Sequence, residues 1–413
     1  MASARVAQRA TWALIAAASL LAVWLVVRGL RSRQESFADS APLTARTGQI
    51  YISAAAQPIG EQTSERVLAS NAERPSVHRG PAHAFAIERE RRSALGRQIF
   101  FDEGLSEPRG TSCASCHDPK HAFAGNHGST LGTAQGSRPT RFTRRSTPSL
   151  LYLKYVRPFH FQREDGAPLP AALGGFFWDG RSDSIVESVR QTLLDPDEMD
   201  NRDARSIADK FQAAPYAADF AQAFHVTWSD DEGVLRALGE ALQMFLTSDA
   251  MAPFSSKYDA SLRGKPALST LEKHGLELFR AADKGGCAGC HQLNDAAPKP
   301  ERSLFTDYGF EALGVPRNRK LPANRAAKRF DLGLCESDTR SFPMNRDQFC
   351  GAFRTPSLRN VAVRTSYMHN GAFDNLRDVV KFHVTRGQVP RLDDHEIDAV
   401  VALLRTLTDA AYE

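Results

Sequence analysis

Two stretches, "SCASCHDP" at 112–119 and "GCAGCHQL" at 286–293, place one Cys-x-x-Cys-His pattern twice in a chain of 413 residues. Two thiols at that spacing can form thioether bonds to the vinyl groups of a haem, while the adjacent histidine reaches the iron as proximal ligand. The pattern predicts two covalently held c-type haems, one on Cys113, Cys116 and His117 and one on Cys287, Cys290 and His291. The competing readings are a zinc site and a redox dithiol. Zinc wants a fourth ligand, and neither reading explains a histidine directly after the second cysteine both times. The chain has only six cysteines and twelve histidines, so two accidental matches are negligible.

Covalent c-type haem belongs outside the cytoplasm, and the N-terminus suits that. Arg5 and Arg9 precede the apolar run "TWALIAAASLLAVWLVV", Thr11 to Val27, about long enough for a signal h-region or a short membrane helix. No small-x-small cleavage site follows directly, and Arg28, Arg31 and Arg33 come next. The segment 1–33 is therefore expected to stay as an anchor in the inner membrane, with a soluble periplasmic protein after cleavage as the alternative. Residues 34–83, rich in Ser, Ala, Pro and charge, read as a tether. With 42% apolar and 24% charged residues the remainder has the makings of an ordinary globular core. A formal charge of +4 is too mild for nucleic-acid binding but permits docking to an acidic protein. In an oxidising compartment the remaining cysteines, Cys335 and Cys350, most simply pair.

A weak internal repeat organises the body. "RRSALGRQIFFD" and "LEKHGLELFRAAD", both with Gly-x-x-[Ile/Leu]-Phe, precede the two haem motifs. Ser269 and Glu272 have capping-box spacing, and Leu271, Leu278 and Phe279 are expected to share a face. Each half closes on a second helix, Val234 to Ser248 and His395 to Asp409; the latter has Asp393 and Glu396 at capping spacing and a stripe of Ile397, Val400, Val401, Leu404 and Leu407. Strand signals are sparse, and Gly and Pro interrupt the helices in "SLRGKPALST". The expected fold is mostly α: two cytochrome c-like domains, 84–263 and 264–413, each with a covalently bound haem, preceded by the membrane or signal segment.

From about His83 onward the ordered set "LGRQIFFD", "SCASCHDP", "STPSL", "FFWDGR", "DEM", "GLELF", "GCAGCH", "FRTPSLRNVAV", "YMHNG" and "LRTLTD" resembles the bacterial di-haem cytochrome c peroxidase and MauG superfamily. The resemblance implies that the first haem meets hydrogen peroxide and the second exchanges electrons. It maps the tryptophan between the haems onto Trp178 and the distal glutamate onto Glu198, where a carboxyl group can shuttle the proton that makes peroxide oxygen a leaving group. The distal histidine that blocks the first haem in classical members is replaced by Arg138, which implies an open first site, as in MauG; His121 and His127 lie nearby without an assigned role. The sixth ligand of the second haem, Met in classical members and Tyr in MauG, falls on His383, with Met368 as rival. His369 is expected near the haems in a structural or electron-relay role.

Arg145 and Arg181 are reasonable partners for haem propionates, since a guanidinium binds carboxylates as a fork. "RPTRFTRR", Arg138 to Arg145, reads as a solvated loop, with steering of an acidic donor as the alternative. The inter-haem calcium of the family would have Ser146 in place of an Asn side chain, with carbonyls of Arg364 and Ser366, a poorer donor set. Thr192 stands where the family commonly has a distal proline. The leading expectation is a peroxidase that reduces hydrogen peroxide to water with electrons from a small cytochrome c or cupredoxin. The alternatives are a MauG-like oxidase acting on aromatic residues of a protein substrate, and a two-haem electron carrier without catalysis.

Overall fold

The structure, a computed structural model, describes residues 81–413 apart from 164–165, 168, 265–266, 294–302 and 327–329. The N-terminal apolar run and the tether up to residue 80 lie outside the described residues; among those described, no helix is long and apolar enough to cross a membrane.

Helices carry the fold, and they pair in the same way twice. Pro81–Phe100 packs along Asp231–Leu246, and Thr270–Arg280 packs along Asp394–Arg405. The shared glycine explains the closeness of both crossings. A Cβ on Gly96 would lie 1.9 Å from the Ala241 carbonyl oxygen, and one on Gly275 would lie 2.0 Å from that of Ala399. Glycine costs a helix interior about 0.5–1 kcal/mol relative to alanine, and here any larger residue would force the helices apart. Three and four residues further on, Ile99 and Phe100 in one half and Leu278 and Phe279 in the other are buried.

The first pair of helices contributes to a core with Ile207, Phe211, Phe220 and Leu238; the second contributes to one with Tyr258, Phe305, Ile397, Val400 and Leu404. The capping boxes at Ser269 with Glu272 and Asp393 with Glu396 are formed. Two details differ from expectation. Leu271 is 39% exposed, because in the first turn of its helix it precedes the segment that reaches the neighbouring helix. The first helix begins at Pro81, inside the stretch read as tether, with proline where its missing N–H costs nothing.

Among the described residues, strands are confined to two antiparallel pairs, His160–Gln162 with Ala171–Leu173 and Phe310–Glu311 with Phe353–Arg354. Beside them lies a small core of Ala172, Leu334, Phe349 and Ala352, edged by Phe159, Phe161, Phe310 and Phe342. A disulfide between Cys335 and Cys350 closes the loop there.

Candidate functional site

Each Cys-x-x-Cys forms a single helical turn that aims the next histidine inward. The His117 backbone N–H returns to the Cys113 carbonyl at 2.8 Å, and that of His291 to Cys287 at 2.9 Å. Both imidazoles are then held alike. His117 Nδ1 lies 3.1 Å from the Phe123 carbonyl oxygen and His291 Nδ1 lies 3.0 Å from that of Phe305. A carbonyl only accepts, so Nδ1 carries the proton and Nε2 presents its lone pair, the tautomer a metal-ligating histidine needs. Phe123 and Phe305 both adopt left-handed backbone, φ 56° and 55°.

The carbonyl preceding each phenylalanine accepts a hydroxyl from a "TPSL" serine: Ser149 Oγ donates to Ala122 at 2.7 Å, and Ser357 Oγ to Leu304 at 2.6 Å. Burial pushes both imidazoles down to about 4, so they are neutral. Burial also pushes the thiols up, Cys113 and Cys116 to about 12 and Cys287 and Cys290 to about 11. That is opposite to the lowered pKa of a redox dithiol. Among the described residues, no three His, Cys, Asp or Glu side chains converge to hold a bare metal ion.

Beyond each "TPSL" the chain makes a second repeated turn, "FFWDGRSDS" and "YMHNGAFDN". Phe177 and Met368 take left-handed φ of 63° and 66°, and Gly180 and Gly371 both take 65°. Phe176 bridges Ser182 as Tyr367 bridges Phe373. Ser184 caps the helix Ile185–Leu194 by accepting from Glu187 N–H, and Asn375 caps Leu376–Thr385 by accepting from Asp378 N–H. This register pairs Trp178 with His369, and Thr192 with His383.

The members of those pairs differ in chemistry. His383 Nδ1 donates to the Val379 carbonyl at 2.9 Å, which leaves Nε2 free. With Cys287, Cys290 and His291 it lines a cavity of about 980 Å³, at the upper end of cofactor-sized pockets. Thr192 is too short to act as His383 does; its hydroxyl instead lies near enough to Glu198 to favour the carboxylate. Glu198 sits beside Cys116. Its carbonyl accepts from Ser137 N–H at 2.7 Å, and Gly136 lies against this segment so closely that a Cβ would be 2.4 Å from the Asp197 carbonyl oxygen. Cys116 Sγ approaches the carbonyl of the neighbouring Gln135 at 3.8 Å. Burial, then the Asp195 charge, raise the Glu198 carboxyl to about 7, against Thr192 and Arg181.

Trp178, 9% exposed, donates Nε1–H to the Ser146 carbonyl at 2.8 Å and also lines the cavity. Ser146 continues the link, donating Oγ–H to the Met368 carbonyl at 2.7 Å and N–H to that of His369 at 2.8 Å. His369 stacks on Phe353 at 3.5 Å, and burial holds it down at about 4. His127 is tied through Nδ1 to the Gln135 carbonyl at 2.8 Å; His121 Nδ1 pairs with Asp118 at 2.9 Å.

A family model described as di-haem cytochrome c peroxidase matches residues 90–267. The methylamine utilization protein MauG of Paracoccus denitrificans is 33% identical over 358 residues, which cover 78% of this chain and 89% of that protein. The chain belongs to the di-haem cytochrome c peroxidase and MauG family. The cytochrome c551 peroxidase of Nitrosomonas europaea is 26% identical over 332 residues, covering 79% of this chain and 83% of the other. The solved diheme peroxidase of Burkholderia thailandensis aligns with a TM-score of 0.73 and 45% identity, over 78% of this chain and 86% of that one. The protein is thus an oxidoreductase of the cytochrome-c peroxidase type with a mostly helical di-haem peroxidase fold, and haem is the family's cofactor.

The donor sets fit haem: paired thiols and buried neutral imidazoles at both motifs, with a cavity of matching size at the second. The arginines differ from expectation. Arg145 is already engaged by Asp331, through Nε at 2.9 Å and Nη2 at 2.8 Å, and by Asp179. Arg181 bonds Asp179 and Gln191 and lies 3.6 Å over the Phe177 ring. Neither is among the residues lining the cavity; Arg354 and Arg364 are. The positions considered for calcium are taken up as well. Arg364 Nε donates to the Ser366 carbonyl at 3.2 Å and the Ser146 hydroxyl points at Met368, so a cation is already in place. From sequence, Arg354 and Arg364 look like ordinary loop arginines. The Thr192 and His383 equivalence was legible by aligning "WDGRSDS" with "HNGAFDN".

Proposed function

We propose that this chain is an exported di-haem c-type peroxidase that reduces hydrogen peroxide to water with electrons from a small periplasmic redox protein. The observation that carries the proposal is the unequal pair at one helix position: His383 lines the second cavity, while the equivalent position in the first half is Thr192, which cannot ligate as a histidine does and lies near Glu198. Haem held at the two Cys-x-x-Cys-His turns would supply the redox chemistry for O–O cleavage, passing on electrons from the donor protein. Glu198, with a carboxyl poised near neutrality, takes a proton from one peroxide oxygen and returns it to the other, so that water leaves. Trp178 links the two halves through Ser146, and His383, with Nε2 free, would hold the haem of the second site. Each turnover consumes two electrons and two protons and yields two waters.

The two haem domains divide near residue 263. Export rests on the N-terminal basic and apolar segment and on the Cys335–Cys350 disulfide, which suits an oxidising compartment. The relation to MauG favours a second reading, oxidation of aromatic residues in a partner protein. Peroxide turnover with a reduced small cytochrome, followed alongside EPR of the oxidised protein, separates them. Sustained donor oxidation with one high-spin and one low-spin signal supports the peroxidase; the same signals without turnover support the protein-modifying reading. Two low-spin signals without activity, even after half-reduction, would overturn both.

A reciprocal pair of variants tests the carrying observation. His383→Ala is expected to convert the low-spin signal of the second haem to high spin. Thr192→His is expected to convert the first to low spin and lower peroxide turnover at least tenfold. Unchanged EPR in both variants would remove the assignment.

A further inference from the structure

A buried guanidinium is costly unless a carboxylate faces it. Arg359 has Asp259, Arg145 has Asp179 and Asp331, and Arg340 has Asp183. Arg354 and Arg364, half-buried at a cavity wall, break the pattern. Arg354 donates Nε–H to the Phe177 carbonyl at 3.2 Å and lies 5.4 Å over the Tyr308 ring. Arg364 donates Nε–H to the Ser366 carbonyl at 3.2 Å and Nη2–H to the Thr147 carbonyl at 3.0 Å. Among the described residues neither has a carboxylate within ion-pair distance, and burial lowers both, Arg364 to about 10. Both line the cavity of Cys287, Cys290 and His291, and among the described residues their remaining side-chain N–H groups make no further hydrogen bond.

We propose that Arg354 and Arg364 are the carboxylate receptors of the second site, binding the propionates of the haem held there as two planar forks. The proposal rests on reading that cavity as a haem site. The fork geometry matches a carboxylate, and the anion supplies the charge each guanidinium lacks. Arg364 does more than anchor. One of its two carbonyl partners, Thr147, lies in the first "TPSL" turn, whose Ser149 bonds the Ala122 carbonyl beside the Phe123 that holds His117. Arg364 is a fixed cation shared by both sites, whereas Arg354 serves the second alone.

The test is spectroelectrochemistry of the full chain and of Arg354→Met, Arg364→Met and Arg364→Lys, with haem counted first as pyridine haemochrome. Losing a cation favours the ferric state. Either Met variant is expected to shift the ferric/ferrous ratio of the second haem at the wild-type midpoint at least tenfold toward ferric, about 59 mV for a one-electron couple. The freed propionate then titrates, so the midpoint becomes pH-dependent between about pH 5 and 8. Arg364→Met shifts the first haem too; Arg354→Met does not. Arg364→Lys keeps the charge and most of the potential, and with Arg354→Met it carries the test if Arg364→Met fails to fold. Two haems with midpoints and pH slopes unchanged in the variants would overturn this proposal alone. Only one haem in the wild-type chain would overturn the haem reading of the cavity and this proposal with it.

Discussion

Glu198→Gln is expected to lower kcat/KM for hydrogen peroxide by about 10²–10⁴-fold, the usual contribution of a positioned proton shuttle. The amide keeps the size and the contact with Thr192 but cannot accept a proton, so haem content and the low-spin signal of the second site should stay as in the wild type. The pH profile adds a second reading of the same group. Burial and Asp195 raise the Glu198 carboxyl to about 7. The carboxylate that accepts the proton therefore accumulates as pH rises through 7, and wild-type kcat/KM should climb across that range while Glu198→Gln stays flat. Asp195→Asn removes one raising charge and should move the climb to lower pH; Asp197 also raises and Arg181 lowers, and both are unchanged in that variant. Wild-type kinetics and an undisturbed climb in Glu198→Gln would dismiss the carboxylate from the reaction.

The second large effect concerns stability. Asp259 and Arg359 have fully buried side chains and meet through two hydrogen bonds of 2.9 Å. Arg359 also donates Nε–H to the Ser303 carbonyl at 3.0 Å and lies 4.4 Å over the Phe254 ring, so the pair ties the second "TPSLRN" loop to the segment carrying Phe305. Asp259→Ala strands a buried guanidinium and is expected to cost about 3–5 kcal/mol. The double variant Asp259→Leu with Arg359→Met should recover much of that, because no charge is left uncompensated.

Burial opposes ionisation of Asp259, yet the Arg359 hydrogen bonds and charge leave its carboxyl below the ordinary value. A lowered folded-state pKa gives stability that is present above the unfolded value of about 3.9 and lost as pH falls through the folded one. The double variant should lack that part of the acid sensitivity. Thermal unfolding of all three proteins between about pH 3 and 7 decides the matter; Asp259→Ala melting with the wild type would show the pair to be dispensable.

The haem motifs, the glycine of each Gly-x-x-[Ile/Leu]-Phe and the capping boxes were legible because each depends on residues near one another in the chain. A cap needs a side chain three positions from its donor, and a thioether pair needs its histidine next door. What escaped depends on partners far apart in sequence. Nothing around Arg145 announces that Asp331 will fill its fork, and nothing around Arg364 announces that no carboxylate will. Leu271 had the right period and the wrong depth, since periodicity says which residues share a face and not how far along the helix the neighbour extends. Trp178 and Glu198 were reached through family resemblance; the Ser146 hydrogen bond that positions Trp178 and the nearness of Thr192 to Glu198 came only with the fold.

The two histidine clamps, serine hydroxyl to carbonyl to left-handed phenylalanine to Nδ1, agree to within about a tenth of an ångström. The molecule therefore carries its own internal control. Whatever electronic push one histidine receives from its carbonyl, the other receives too. Were haems held at both clamps, a contrast between them in spin state, potential or reactivity would have to come from surroundings other than these clamps. Each variant made in one half can be judged against the untouched half of the same molecule, in the same spectrum.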